Sequence, residues 1–170
     1  MNQSDIKKIV EDLIKTFLDA GKISLDLRKK GLIKEMKSDN TPVSNGDLEV
    51  NKILTKKISE LTPNIPIVSE ETSENKSRDN LENFWLIDPI DGTYDYINNL
   101  DEFTINAGLI IQKKPAAGLI YAPAKNRMFY SYGDNLSFEL ISGKPTKLDN
   151  SKNFNKDEIK FVSYSNKIKP

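Results

Sequence analysis

The run Asp88-Pro89-Ile90-Asp91-Gly92-Thr93 carries the densest chemical signal in the chain. Two carboxylates at this spacing around a proline turn can converge on one point. Held close, they repel and raise each other's pKa. A divalent cation relieves that repulsion, and all-oxygen ligation suits Mg²⁺. The Ile90 carbonyl lies between them as a further oxygen donor. The backbone N–H groups of Gly92 and Thr93, at a helix start, can take a phosphate oxygen. The same residues also read as an ordinary strand-turn-helix with Asp91 or Thr93 as helix cap.

Two other segments offer acidic groups. Glu70 and Glu71 follow the short apolar run Ile67-Val68-Ser69. A glutamate at the end of a neighbouring strand supplies a third carboxylate to the same cation. The alternative is two solvated charges entering an acidic loop. Asp47 ends the stretch Thr41-Pro42-Val43-Ser44-Asn45-Gly46-Asp47, where Ser44 and Asp47 fit the capping-box spacing. Functionally, a carboxylate on a first helical turn can take a proton through Thr93 or orient a water. Lys37 and Asp39 read as structural or surface residues.

Composition narrows the chemistry further. The 170 residues include no Cys and no His. That excludes a thiolate nucleophile, a disulfide framework, a zinc-thiolate site, a Ser-His-Asp triad and an imidazole metal site. Hydrophobic residues make up 37% and charged residues 29%, as in an ordinary globular domain. The formal net charge is zero, so no whole-chain argument favours nucleic acid or membrane. No apolar run approaches the ~20 residues of a membrane span. Met1 to Asp5 carry no basic region leading into an apolar stretch, so no signal peptide is expected and an intracellular protein is.

Helices and strands along the chain must position these groups. Ile6, Ile9, Val10, Leu13, Ile14, Phe17 and Leu18 recur at the helical period, predicting a helix over the first 30 residues with Ser4 as N-cap. Gly21 ends it or marks a close contact. Residues 31–43 read as irregular. A second helix starts at Ser44, with a stripe of Leu48, Ile53, Leu54, Ile58 and Leu61, and stops at Pro63. Short strands follow at 65–69 and 84–87, the latter buried and ended by Pro89. Residues 72–83 read as an exposed loop. Phe103 to Gln112 alternate, and further strands are predicted near 115–122, 126–132 and 136–142. Residues 158–165 open another alternation. Trp85 reads as core.

Together these segments resemble the inositol monophosphatase superfamily of Mg²⁺-dependent phosphatases. The carrying residues are Val68-Ser69-Glu70-Glu71, then Asp88-Pro89-Ile90-Asp91-Gly92-Thr93, and upstream Asp39-Asn40-Thr41-Pro42-Val43-Ser44-Asn45-Gly46-Asp47. Ser44 stands where Thr is usual and Gly46 where Ala is usual. Tyr94-Asp95-Tyr96-Ile97 and Asp101-Glu102-Phe103-Thr104-Ile105-Asn106 are similar to the K-E-F-I and G-E-F-T-V-N runs of the CysQ branch, the 3′(2′),5′-bisphosphate nucleotidases. Tyr94 departs from the Lys common there.

The resemblance implies an α+β fold, with two N-terminal helices packed on an antiparallel sheet. This is the first half of the family's α-β-α-β-α sandwich. It implies that Glu70, Asp88 and the Ile90 carbonyl bind a first Mg²⁺ and that Asp88 and Asp91 share a second. Asp47 and Thr93 position the attacking water, and Gly92 and Thr93 amides hold the phosphate. The expected substrate is a phosphorylated small molecule, 3′-phosphoadenosine 5′-phosphate in the nucleotidase branch, with inositol monophosphates and sugar bisphosphates as alternatives. Neither nucleic-acid binding nor a transmembrane segment is expected. A cytoplasmic protein peripheral to the inner membrane is implied by the same analogy. The family's second half, with a W-D-x-A motif, finds no counterpart. Residues 1–157 are therefore expected to form a metal-binding domain, and 158–170 the first strand of a truncated one. Oligomerisation, a second half supplied in trans, impaired activity, or a non-catalytic remnant follow as expectations.

Overall fold

The computed structural model describes residues 1–37, 41–72 and 81–148. Helix α1 spans Gln3–Lys30, and its cap is Asn2 rather than Ser4. Asp5 N donates to Asn2 Oδ1 at 2.9 Å, and Asn2 N donates to Asp5 Oδ2 at 3.1 Å. This reciprocal pair satisfies two end donors earlier than the serine would, so Ser4 falls inside the first turn. Ile6, Val10, Leu13, Phe17 and Ala20 form the buried face, with Ile9, Ile14 and Leu18 flanking it. Gly21 lies mid-helix at a close contact. A Cβ there would stand 2.3 Å from the Tyr121 ring.

Residues expected to be irregular form a small hairpin. Strands β1 (Lys34–Met36) and β2 (Pro42–Ser44) pair antiparallel, with Lys34 opposite Ser44. All three β1 residues are exposed, so no apolar alternation marks the strand. Helix α2 runs Asn45–Leu61 from the Ser44 cap. Its inward line is Asp47, Val50, Leu54 and Ile58. Leu48, expected in that stripe, falls off this line and is 49% exposed. Thr62 closes the helix just before Pro63, donating its N–H to the Ile58 carbonyl.

One seven-stranded sheet follows chain order: β3 (Ile67–Ser69), β4 (Phe84–Asp91), β5 (Thr104–Ile111), β6 (Lys114–Ala122), β7 (Arg127–Ser131), β8 (Ser137–Ile141) and β9 (Lys144–Lys147). Every neighbouring pair is antiparallel except β3 and β4, which are parallel. The last strand was not foreseen, because its residues are exposed throughout. Helix α1 packs on α2 and across β6, and α2 packs across β4. Both helices thus cover one face of the sheet, as the α+β reading expects. Strand β4 is half-buried rather than buried on both sides. Trp85, Ile87 and Ile90 turn into the core while Leu86 is 48% exposed. Pro89 does not end the strand. Pairing with β5 shifts register between Asp88 and Asp91, leaving a bulge at the proline that lacks a ladder donor. Trp85 is fully buried, and its indole N–H donates to Thr62 Oγ1 at 3.1 Å.

Most of the loop expected over 72–83, the alternation at 158–165 and the boundary at 157 lie outside the described residues. No helix among the described residues is long and apolar enough to cross a membrane.

Gln112 and Lys113 join β5 to β6 with φ of 50° and 61°. This is a two-residue hairpin turn built without the Asn or Gly it favours. Replacing the pair by Asn-Gly is expected to stabilise the chain by about 1 kcal/mol. Urea denaturation checks this, and an unchanged or lower midpoint contradicts it.

Candidate metal centre

The parallel pairing of β3 with β4 builds the site. Ser69 sits beside Ile87, so the residues that follow each strand emerge at the same edge. Glu70 N donates to the Ile87 carbonyl at 3.1 Å, which carries the pairing one residue further. The Glu70 carboxylate thereby comes close enough to Asp88 for its charge to act there. Asp88 Oδ1 is buried and has no hydrogen-bond partner. Burial pushes the Asp88 carboxyl up to about 7, helped by the charges of Glu70 and Asp91. After the bulge, Asp91 also points away from the core. Its Oδ2 accepts from Asn106 Nδ2 on β5 at 3.1 Å.

Gly92 follows in the left-handed conformation, with φ of 90°. A Cβ there would lie 2.7 Å from the Glu102 carbonyl. Gly92, and neither Asp91 nor Thr93, is the cap of the short helix α3 (Thr93–Ile97), and no side chain caps it. Thr93 Oγ1 lies 3.0 Å from the Ile90 carbonyl and 3.3 Å from Asp47 Oδ1. Its single proton has these two acceptors. Asp47 is 1% exposed. Its Oδ2 accepts from Ser44 N at 2.9 Å and Ser44 Oγ at 2.6 Å. The structural and the functional readings of Asp47 therefore coexist. One oxygen closes the capping box while the other faces Thr93. Burial raises the Asp47 pKa against the hydrogen bonds from Ser44 and Thr93, which lower it.

Lys37 was expected as a structural or surface residue. The β1–β2 hairpin gives it a structural place, with its ammonium between two glutamates, 3.2 Å from Glu70 Oε1 and 2.7 Å from Glu71 Oε1. The Glu71 side chain is only 4% exposed. Burial lowers the Lys37 pKa, but the bonds to Glu71 and Glu70 outweigh it and raise it. Burial raises the Glu71 carboxyl, and Lys37 opposes that. Ser69 steadies the segment. Its hydroxyl donates to Asn51 Oδ1 at 2.7 Å and accepts from Glu71 N at 3.3 Å. Lys37→Met is expected to destabilise the chain by about 2 kcal/mol at pH 8, since it leaves a buried carboxylate unpaired. The loss should shrink at acid pH, because burial makes the Glu71 carboxyl easier to neutralise than a solvated one. Melting curves at pH 8 and at acid pH check this; equal losses contradict it.

Glu70, Asp88, Asp91 and the Ile90 carbonyl thus line one sheet edge, with Asp47 and Thr93 beside them. Among the described residues no three acidic side chains close around a single point. The donor set nonetheless fits a hard cation. All its donors are oxygens, and Asp88 holds a buried acceptor that no protein donor satisfies. Sequence reasoning placed neither Lys37 nor Asn106 at the site, since only pairing across strands brings them here. An open cleft of about 510 Å³ adjoins Asp91, lined by Gly92, Tyr94, Glu102, Phe103 and Thr104.

Known proteins are similar to this chain in sequence and in fold. The 3′(2′),5′-bisphosphate nucleotidase CysQ of Haemophilus influenzae is 36% identical over 140 residues, which cover 81% of this chain and 52% of that protein. The chain therefore spans about half the length of the curated relatives it matches. The extragenic suppressor protein SuhB of Bartonella henselae superposes with a TM-score of 0.69 at 23% identity, over 78% of this chain and 52% of that one. An IMPase/NADP phosphatase solved with Mg²⁺ and phosphate gives a TM-score of 0.67 at 17% identity, over 81% and 51%. At these identities the two structures establish the fold. The sequence profile of the inositol monophosphatase family matches residues 5–165, and the chain belongs to that family.

Proposed function

We propose that this chain carries the carboxylate centre of a Mg²⁺-dependent phosphomonoesterase acting on 3′(2′),5′-bisphosphate nucleotides. The carrying observation is the buried, unpartnered Asp88 Oδ1 beside Glu70 and Asp91. The CysQ relatives support the nucleotide substrate, and the neighbour solved with Mg²⁺ and phosphate supports the ion. Glu70, Asp88 and the Ile90 carbonyl would hold one Mg²⁺, with Asp88 and Asp91 available to a second. Bound there, Mg²⁺ supplies an activated water and neutralises charge on the leaving oxygen.

The chain's own groups handle the proton. Thr93 Oγ1 accepts a proton from the attacking water while its own proton passes to Asp47 Oδ1. The water oxygen forms the new bond to phosphorus, the ester P–O bond breaks, and solvent protonates the leaving alkoxide. Ser44 holds Asp47 on its other oxygen, so the acceptor stays aimed at Thr93. Burial makes Asp47 a stronger base than a solvated aspartate. The Gly92 and Thr93 amides hold the phosphate.

Phosphate release from 3′-phosphoadenosine 5′-phosphate tests this, with Mg²⁺ varied and inositol 1-phosphate run alongside. Mg²⁺-dependent release, reduced at least ~100-fold in Asp91→Asn, is the expected result. Preference for inositol 1-phosphate overturns the substrate reading. A melting temperature raised by Mg²⁺ with no phosphate released overturns turnover by this chain and leaves only a cation-binding module.

A further inference from the structure

We infer that Asn106 is an oxygen donor to the divalent cation shared by Asp88 and Asp91, and that it positions Asp91 at the same time. The inference rests on the cation reading above. Asn106 lies directly across from Asp88 in the β4–β5 pairing, so both side chains leave the same face of the sheet. Its Nδ2 donates to Asp91 Oδ2 at 3.1 Å, which fixes the amide's orientation, since a carboxylate cannot donate to the amide oxygen. The other end of the amide is then Oδ1, and it is buried with no hydrogen-bond partner. Asp88 Oδ1 is in the same condition. Two buried acceptors without protein donors, on paired residues of adjacent strands, are costly unless a donor or a cation lies between them. A divalent cation satisfies both at once, and the amide hydrogen bond keeps Asp91 turned toward it. A neutral amide oxygen adds a ligand to a crowded carboxylate group without adding another charge.

Mn²⁺ is the probe, because electron paramagnetic resonance counts the free ion directly and needs no turnover. The full chain is titrated with Mn²⁺ as wild type, Asp88→Asn, Asn106→Leu and Asn106→Asp. Wild type binds, Asp88→Asn loses the site, and Asn106→Leu weakens it about 10-fold or more. Asn106→Asp restores affinity, because it keeps the oxygen although it loses the N–H to Asp91. A role confined to holding Asp91 gives the opposite order, with Asn106→Asp the weaker, and overturns the inference. Unchanged affinity in folded Asn106→Leu overturns it too while leaving the cation reading standing. Absence of Mn²⁺ binding in the wild type overturns both. Should Asn106→Leu fail to fold, Asn106→Ser serves in its place, being too short to bring an oxygen to the same point.

Discussion

Asp88→Asn is expected to make the metal-free chain more stable and to abolish its stabilisation by Mg²⁺. Without a cation, the Asp88 carboxylate is half-buried, has one unpartnered oxygen, and faces the charges of Glu70 and Asp91. Burial and these neighbours raise its folded-state pKa above the value of an unfolded chain. The sign follows from linkage. Such a group favours the fold below its unfolded pKa, and that advantage is lost as pH rises through about 7. At pH 8 the ionised group therefore works against folding. An amide of the same shape removes that penalty, worth about 1–2 kcal/mol after discounting for the solvent that still reaches the group. Thermal melting at pH 8 in a chelator should show Asp88→Asn a few degrees above wild type. In excess Mg²⁺ the order should reverse, since ligand binding stabilises only the chain that keeps the site. A variant that melts lower in the chelator, or that keeps the Mg²⁺ shift, contradicts this account of the centre.

Gly46→Ala is expected to destabilise the chain by about 2–3 kcal/mol, although alanine is the better helix former and is usual at this place in the family. The reason is Tyr96. A Cβ on Gly46 would stand 2.3 Å from the Tyr96 hydroxyl and 2.6 Å from its ring. The ring cannot retreat. It is fully buried against Phe103, with centroids 4.9 Å apart, and Arg28 lies over its face. Its hydroxyl donates to the Ser24 carbonyl of α1 at 2.7 Å. Glycine on α2 thus makes room for a hydroxyl that ties α3 to α1, where the family's K-E-F-I run carries a phenylalanine. Tyr96→Phe alone should cost about 1 kcal/mol for the lost hydrogen bond. The two changes together should cost less than their sum by about 1 kcal/mol, because removing the hydroxyl relieves the worst overlap. Additive losses in urea unfolding contradict the coupling.

The two long helices and the alternating strands were legible because their signals are local. The spacing of Val10, Leu13 and Phe17 marks a helix face, and Ile105, Ala107 and Leu109 mark a strand face, whatever lies opposite. The Ser44–Asp47 capping box is equally local, being read within a few residues, whereas Pro89, read as ending its strand, only bulges it. Where apolar pattern was missing, the reading failed. The exposed β1 and β9 strands have no alternation, and Leu48 was assigned to a face that Asp47 and Val50 define without it.

The acidic residues themselves were also legible, since Glu70, Asp88 and Asp91 stand in motifs that the sequence marks. Their meeting was expected, but spacing along the chain does not by itself bring Glu70 to Asp88. An antiparallel β3 would have left Glu70 at the opposite end of β4 from Asp88. The parallel register, with Ser69 beside Ile87, is what puts the two carboxylates together. Lys37 reaches Glu70 and Glu71 across 33 and 34 residues of chain, and Asn106 reaches Asp91 across 15. Such contacts depend on pairing partner and direction, which one strand's residues do not encode. The residue types and local patterns establish which groups could do the chemistry and which element carries each. Which of them meet is settled in three dimensions, because hydrogen-bonded pairing between distant segments chooses both the neighbour and the register.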